Sequence, residues 1–281
     1  MAARVSVVVP AYNSVAFIDA TMRSILGQTF TDFELLVSDH SSTDGTWEAL
    51  QPFAADPRVR LSRFAPGGGG PANWNAVTDL ATGEFVKLVC GDDVLAPESL
   101  AEQVAALDAC PTAVMAASPR DVIDASGTPV LRNRGLAGLC GEIPGADAIR
   151  ATVAAGTNIF GEPASVLFRR LALVDAGGWD GRYPYLIDQA TYFAVLSRGN
   201  LVAVPRSLSA FRVSPSQWSV RLMGEQARQF IDYNREFAAA HPGLLRPHDL
   251  RVGGVKARAN AYGRRAVYRW LHWRTRIGAG A

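Results

Sequence analysis

Cysteine is scarce: the 281 residues contain three, Cys90, Cys110 and Cys140. An odd count without metal-ligand spacing excludes a disulfide framework, and it fits a reduced, cytoplasmic protein whose thiols are buried. The four histidines are scattered and make no zinc motif. No apolar run approaches the length that spans a bilayer. The opening MAARVSVVVPAYN enters a strand pattern directly, without the apolar region and cleavage site of a signal peptide. Internal repeats and low-complexity tracts are missing. So is the dinucleotide fingerprint, since PAYNS stands where G-x-G-x-x-G would follow the first strand, and there is no Walker lysine.

Hydrophobic residues make up 48% of the chain, enough for a sizeable core and too many for disorder. The length suits one large α/β domain, or one domain with an appendage. The net charge of +2 is uneven: eight Lys and Arg and no acid fall between Leu250 and Ala281, leaving the rest at −6. A basic tail on a mildly acidic body points to an anionic partner for the tail.

The pattern predicts strands at Val5–Val9, Phe33–Ser38, Val59–Phe64, Glu84–Cys90 and Ala113–Ser118. Helices are predicted between them, from Ser14 (as N-cap) to Gly27, from about Thr46, over Ala72–Ala81 and over Pro97–Asp108. Alternation of this kind argues for a doubly wound, mostly parallel sheet with helices on both faces. Beyond Arg120 it breaks down. A hairpin turn is read at Asp124–Gly127, helices at Ala146–Ala155, Arg170–Ala176 and Asp188–Arg198, and strands at Ser165–Phe168 and Leu201–Val204. Two longer helices, Glu225–Ala240 and Val255–Arg276, close the chain.

Polar residues stand at three strand ends: Tyr12–Asn13, Asp39, and Asp92–Asp93. In a doubly wound sheet such ends converge on one crevice. Two adjacent acids repel when buried, and a divalent cation bridging to a diphosphate would neutralise them; the alternative is a solvated turn with Asp92 as a helix cap. An acid such as Asp39 can accept the ring N–H of uracil or thymine while Tyr12 stacks on the base, or the two can be a turn residue and a loop aromatic. The loop PGGGGP (Pro66–Pro71) lets backbone approach a ligand or is simply mobile. Asn73 and Asn75 can bind sugar or phosphate, or Asn73 can cap a helix. Trp179, Tyr183 and Tyr185 can stack on sugar rings or belong to the core. Arg212 or Arg221 can meet a diphosphate or be solvated.

Five stretches together resemble family-two glycosyltransferases of the GT-A fold: VSVVVPAYN (Val5–Asn13), LLVSDHSSTDGT (Leu35–Thr46), NWNAV (Asn73–Val77), ATGEFVKLVCGDDVLAPESL (Ala81–Leu100) and GGWDGRYPYLIDQATYFAVLSRG (Gly177–Gly199). The resemblance covers roughly residues 4–213. It implies a nucleotide-sugar donor, UDP- or dTDP-linked, a divalent cation (manganese or magnesium) and inversion at the anomeric carbon. By position it assigns Pro10, Tyr12, Asn13, Asp39, Ser41, Asn73, Asn75 and Asp92 to the donor, Asp92 and Asp93 to the metal, and Asp188 to general base. Trp179, Tyr183 and Tyr185 would meet the acceptor. Two positions depart from the family: Cys90 stands where the first acid of the metal motif is common, and His40 where another acid is common. Cysteine is a poor magnesium ligand, so Asp92 must carry most of that role.

The resulting expectation is one GT-A-like domain with a nucleotide-sugar-binding half at 1–118, an acceptor-binding half at 119–215, and a helical extension at 216–281. The acceptor would be a carbohydrate, a lipid-linked sugar or a small molecule. A second catalytic reading is a sugar-1-phosphate nucleotidyltransferase, and a reading from another class is a nucleotide-sugar-binding scaffold without activity. The arginine- and aromatic-rich stretch 255–276 suits an interfacial helix beside anionic lipid at the inner membrane face, or a helix packed on the body. No nucleic-acid motif accompanies it, so no nucleic-acid partner is expected.

Overall fold

A computed structural model describes residues 3–214 and 225–278. Among these residues the strands are β1 (Val5–Ala11), β2 (Phe33–Asp39), β3 (Val59–Arg63), β4 (Phe85–Leu88), β5 (Val94–Leu95), β6 (Ala113–Ala117), β7 (Arg120–Ile123), β8 (Pro129–Arg134), β9 (Gly141–Ile143), β10 (Val166–Arg169), β11 (Asn200–Ala203) and β12 (Ser209–Arg212). The α-helices are α1 (Ile18–Leu26), α2 (Thr46–Leu50), α3 (Gly69–Thr78), α4 (Ser99–Ala109), α5 (Gly145–Ala155), α6 (Arg170–Asp175), α7 (Ile187–Leu196), α8 (Gln226–Ala240) and α9 (Pro247–Gly278).

An eight-stranded sheet runs β3-β2-β1-β4-β10-β6-β11-β9, and a four-stranded sheet runs β5-β12-β7-β8. β1 has every residue buried, as a central strand covered on both faces should. Its alternate side chains enter two cores. Val5, Val7 and Val9 join Ile18, Met22 and Ile25 of α1 and Leu100, Val104 and Leu107 of α4. Val8 joins Val77 of α3, Ile149 and Val153 of α5, and Phe230, Tyr233 and Phe237 of α8. Helices therefore cover both faces, as the alternation predicts. Strands β3, β2, β1 and β4 are mutually parallel, so their C-terminal ends share one edge.

Several local expectations are corrected. Ser14 does not cap α1; its carbonyl accepts the N–H groups of Phe17 and Ile18, and the helix proper starts at Ile18. The last glycines of the PGGGGP run are the first turn of α3, after Gly67, Gly68 and Gly69 adopt positive φ. The strand at Ser165–Phe168 is β10, and it runs antiparallel to both β4 and β6. The small sheet was foreshadowed in sequence only by its β7–β8 turn, where Asp124 Oδ1 accepts the N–H groups of Ser126 and Thr128. Cys140 is exposed, and Cys90 and Cys110 are half-buried rather than fully buried. The final helix begins at Pro247 and packs through small residues: Ala257 and Ala261 are buried, whereas Tyr262 is exposed.

Lys87 on β4 is fully buried and donates to Gln103 Oε1 at 2.8 Å and to the Val166 carbonyl at 3.1 Å, joining β4, α4 and β10. Burial pushes its pKa down to about 7. At Gly145, opening α5, the carbonyl oxygens of Leu196 and Gly199 occupy the space a β-carbon would need. Both are backbone atoms, so neither can move aside cheaply. Gly145→Ala should therefore lower the melting temperature by roughly 5–10 °C, the shift that overpacking by about 3 kcal/mol gives a chain of this size. A calorimetric melt unchanged from wild type would show that α5 and the end of α7 can separate freely.

Candidate active site

The parallel strand ends open onto a cavity of about 680 Å³. Its lining includes Pro10, Tyr12 and Asn13 after β1, Gly67, Gly69, Gly70, Asn73 and Trp74 around the start of α3, and Cys90, Gly91, Asp92 and Asp93 after β4. The far wall comes from Arg120, Asn158 and Glu162, from Tyr185 to Gln189, and from α8. Loops distant in sequence thus meet at one rim, because the parallel strands deliver them to the same edge.

Of the residues expected at the donor, Pro10, Tyr12, Asn13, Asn73 and Asp92 line this cavity. Tyr12 is 61% exposed, with its ring 6.2 Å from that of His40. Asn73 is buried; its Nδ2 donates to the Ala11 carbonyl and its Oδ1 accepts the Ser38 hydroxyl. Asp39 lies behind the lining. It is fully buried, ion-paired with Arg63 at 3.0 Å, and accepts the N–H of Ser42. Ser41 also lies off the cavity, donating to the Phe64 carbonyl from a positive φ of 56°. Asn75 belongs to the scaffold: its Nδ2 donates to the carbonyls of Pro71 and Trp179, and its Oδ1 accepts the Trp179 N–H.

Asp92 and Asp93 sit at the cavity edge beneath Arg212. Asp93 is 1% exposed, and burial together with the charge of Asp92 pushes its carboxyl well above the usual carboxylate range. The Arg212 N–H donates to Asp93 Oδ1 at 3.1 Å, and its Nε donates to the Asp92 carbonyl at 2.9 Å. Its guanidinium also reaches the carbonyls of Asp124 and Ala125 and lies 4.8 Å from the Phe17 ring centroid. Arg212 is buried rather than solvated, and it clasps the acidic turn. Arg221 lies outside the described residues. No group of three or more His, Cys, Asp or Glu among the described residues could hold a metal ion unaided. Two adjacent carboxylates, the charge of one raising the proton affinity of the other, nevertheless suit a hard cation whose other ligands are phosphate oxygens and water.

Asp188 lies in the first turn of α7, with Oδ1 accepting the Gln189 N–H at 2.7 Å and Oδ2 accepting Asn158 Nδ2 at 3.0 Å. Burial, reinforced by the charge of Glu162, raises its pKa to about 7. Glu162 is held by Arg120 Nε at 2.6 Å. Sequence reasoning missed Asn158, Glu162 and Arg120. Their roles depend on partners far along the chain: 30 positions separate Asn158 from Asp188, and 42 separate Arg120 from Glu162.

The aromatic trio expected at the acceptor divides. Tyr185 lines the cavity. Tyr183 lies off it, donating its hydroxyl to Glu236 and packing edge-on against Tyr233. Trp179 is core: 3% exposed, it donates Nε1 to Thr78 Oγ1 and packs edge-on against Trp74 and Phe168.

The Glycosyl transferase family 2 model matches residues 6–173. The uncharacterized protein MT1568 of Mycobacterium tuberculosis (strain CDC 1551 / Oshkosh) is 30% identical over 256 residues, covering 88% of this chain and 78% of that protein. The poly(ribitol-phosphate) beta-N-acetylglucosaminyltransferase TarS of Staphylococcus aureus (strain MW2) is 35% identical over 106 residues, 37% of this chain and only 18% of TarS. The crystal structure of S. aureus TarS 1-349 in complex with UDP-GlcNAc superposes with a TM-score of 0.70 at 19% identity, covering 90% of this chain and 71% of that one. The strand order, the rim of converging loops and the family match over more than half the residues agree: the chain belongs to glycosyl transferase family 2.

Proposed function

We propose that the chain is an inverting transferase that moves a sugar from a nucleoside-diphosphate donor, UDP- or dTDP-linked, to an acceptor hydroxyl. The observation that carries this is the single cavity shared by the Asp92–Asp93 turn and Asp188, with a strand-end aromatic, Tyr12, at its mouth. Residues 1–118 would supply the donor side and residues 119–215 the acceptor side.

In this reading Tyr12 stacks on the base, Pro10 and Asn13 shape the β1 loop beside it, and Asn73 fixes that loop through the Ala11 carbonyl. Asp39 and Ser41 act from behind the lining, holding the β2 loop against the Arg63–Phe64 stretch. Asp92 and Asp93 would hold manganese or magnesium, which when bound offsets the negative charge of the diphosphate. Asp188 accepts the proton of the acceptor hydroxyl, and Asn158 holds its carboxylate in place. Tyr185 offers a face for the acceptor, which would be a carbohydrate, a lipid-linked sugar or a small molecule.

Among the described residues no helix is long and apolar enough to cross a membrane. The basic segment 255–276 of α9 is proposed as a peripheral contact with anionic lipid, in keeping with its seven Lys and Arg and no acid.

Incubation with UDP-glucose, UDP-N-acetylglucosamine and dTDP-glucose plus manganese, scored for released nucleoside diphosphate, tests the reaction. Release from one donor, abolished by chelation, is expected. Tight donor binding with no release under any acceptor would favour a binding scaffold instead.

A further inference from the structure

Gln189 follows Asp188 on α7 and lines the same cavity. It is fully buried, and neither its Oε1 nor its Nε2 has a hydrogen-bond partner. Among the described residues no other side chain leaves two buried polar atoms unpaired. The contrast with other buried glutamines is direct. Gln28 donates to the carbonyls of Ser24 and Ala96 and accepts the Leu100 N–H. Gln103 donates to the Ser165 carbonyl and accepts from Lys87. Gln229 accepts the Tyr185 N–H and donates to Glu225.

A buried amide with both ends unpaired loses the hydrogen bonds it makes to water in the unfolded chain and regains none. Such a group destabilises the empty protein unless a ligand completes it. An amide offers two N–H donors and one carbonyl acceptor, which complements hydroxyls that can both donate and accept. The carboxylates of Asp188 and Glu162 share the wall and disfavour an anion there. A neutral, hydroxyl-rich ring fits both conditions.

We propose that Gln189 is a specificity-determining residue that reads a hydroxyl of a sugar ring at the transfer point. The inference rests on the transferase reading of this cavity. It goes beyond that reading by naming the group that tests the sugar. The hydroxyl comes from the donor's sugar or from the acceptor's, since both rings meet beside Asp188.

The test compares Gln189→Leu and Gln189→Met with wild type, first as empty proteins. Both variants should melt about 2 °C or more above wild type, because an orphaned polar group has gone. Calorimetry with UDP, UDP-glucose, UDP-N-acetylglucosamine and dTDP-glucose follows, then titration of glucose and N-acetylglucosamine onto the UDP-saturated protein. UDP should bind as in wild type. Loss of the extra affinity of a nucleotide sugar over its bare nucleotide, about tenfold or more, assigns the hydroxyl to the donor. Loss of monosaccharide binding instead assigns it to the acceptor. A melt lowered in both variants would mean that internal water pairs the amide as part of the fold, and would overturn the proposal. Wild-type affinities throughout would overturn it as well. If wild type itself binds no nucleotide sugar, the transferase reading falls and takes the proposed ligand class with it. Normal wild-type binding beside an unresponsive variant removes the Gln189 assignment alone.

Discussion

Asp188→Asn should lower turnover about 100- to 10,000-fold while leaving donor affinity within a factor of about three, the range that loss of a general base produces. The expectation follows from where the carboxylate sits. It is half-buried, held at both oxygens by the Gln189 N–H and Asn158, and has a pKa raised to about 7 by the desolvation of its carboxylate. A base must be unprotonated to work, so wild-type kcat/KM should rise with pH and level off above about 7. The residual rate of Asp188→Asn should lack that rise. Stability moves the other way. A carboxyl whose folded pKa lies above its unfolded value of 3.8 stabilises the fold fully below the lower value, and that contribution is lost as pH rises through about 7. Asparagine carries no charge to bury, so the variant should melt no lower than wild type at pH 8. Kinetics between pH 5 and pH 9, paired with melts, separate a lost base from a lost fold. Wild-type turnover in Asp188→Asn would send the search for the base to Glu162, the other carboxylate on that wall.

Asp92→Ala should weaken metal-supported donor binding by about 100-fold. Even partners one step removed from a metal cost 10- to 100-fold in its affinity, and a direct oxygen ligand should cost at least as much. Without added metal the variant and wild type should bind the donor alike. The fold should persist within a few degrees, because Arg212 grips the Asp92 carbonyl, which alanine retains. Removing the carboxylate also relieves its repulsion of Asp93. Calorimetry of one nucleotide sugar with and without manganese decides the matter. Equal manganese dependence in both proteins would remove Asp92 from the metal and leave Asp93 with Cys90 to account for it.

The sequence made the parallel half of the fold legible because its signals are local. VSVVV and FELLVS are short apolar runs closed by turn residues, and their ends carry the polar side chains that reach the rim. The small sheet was hidden because β5 has two residues and the PVLRNR of β8 is mostly exposed, so neither shows a buried strand's pattern. Trp179 and Tyr185 could not be told apart by type, and only the packing of Trp74 and Phe168 puts one of them in the core. Asp39 was expected at the base; that it is also ion-paired with Arg63, at the end of the neighbouring strand, is a contact no local pattern shows. Arg212 was read as a phosphate partner or a solvated charge. The backbone carbonyls it holds lie as far as 120 positions away, beyond any local pattern.

The place of β10 has a bearing on how the chain assembles. Phe168 pairs with Val86 on one side and with Met115 on the other, so a late strand fills a gap between two early ones. Until that strand emerges, β4 and β6 each present an open ladder, and the ammonium of Lys87 lacks the Val166 oxygen that receives it. The amino-terminal layers therefore cannot close by themselves during synthesis. Completion of the sheet waits for a wedge inserted from later in the chain, a pairing of high sequence separation.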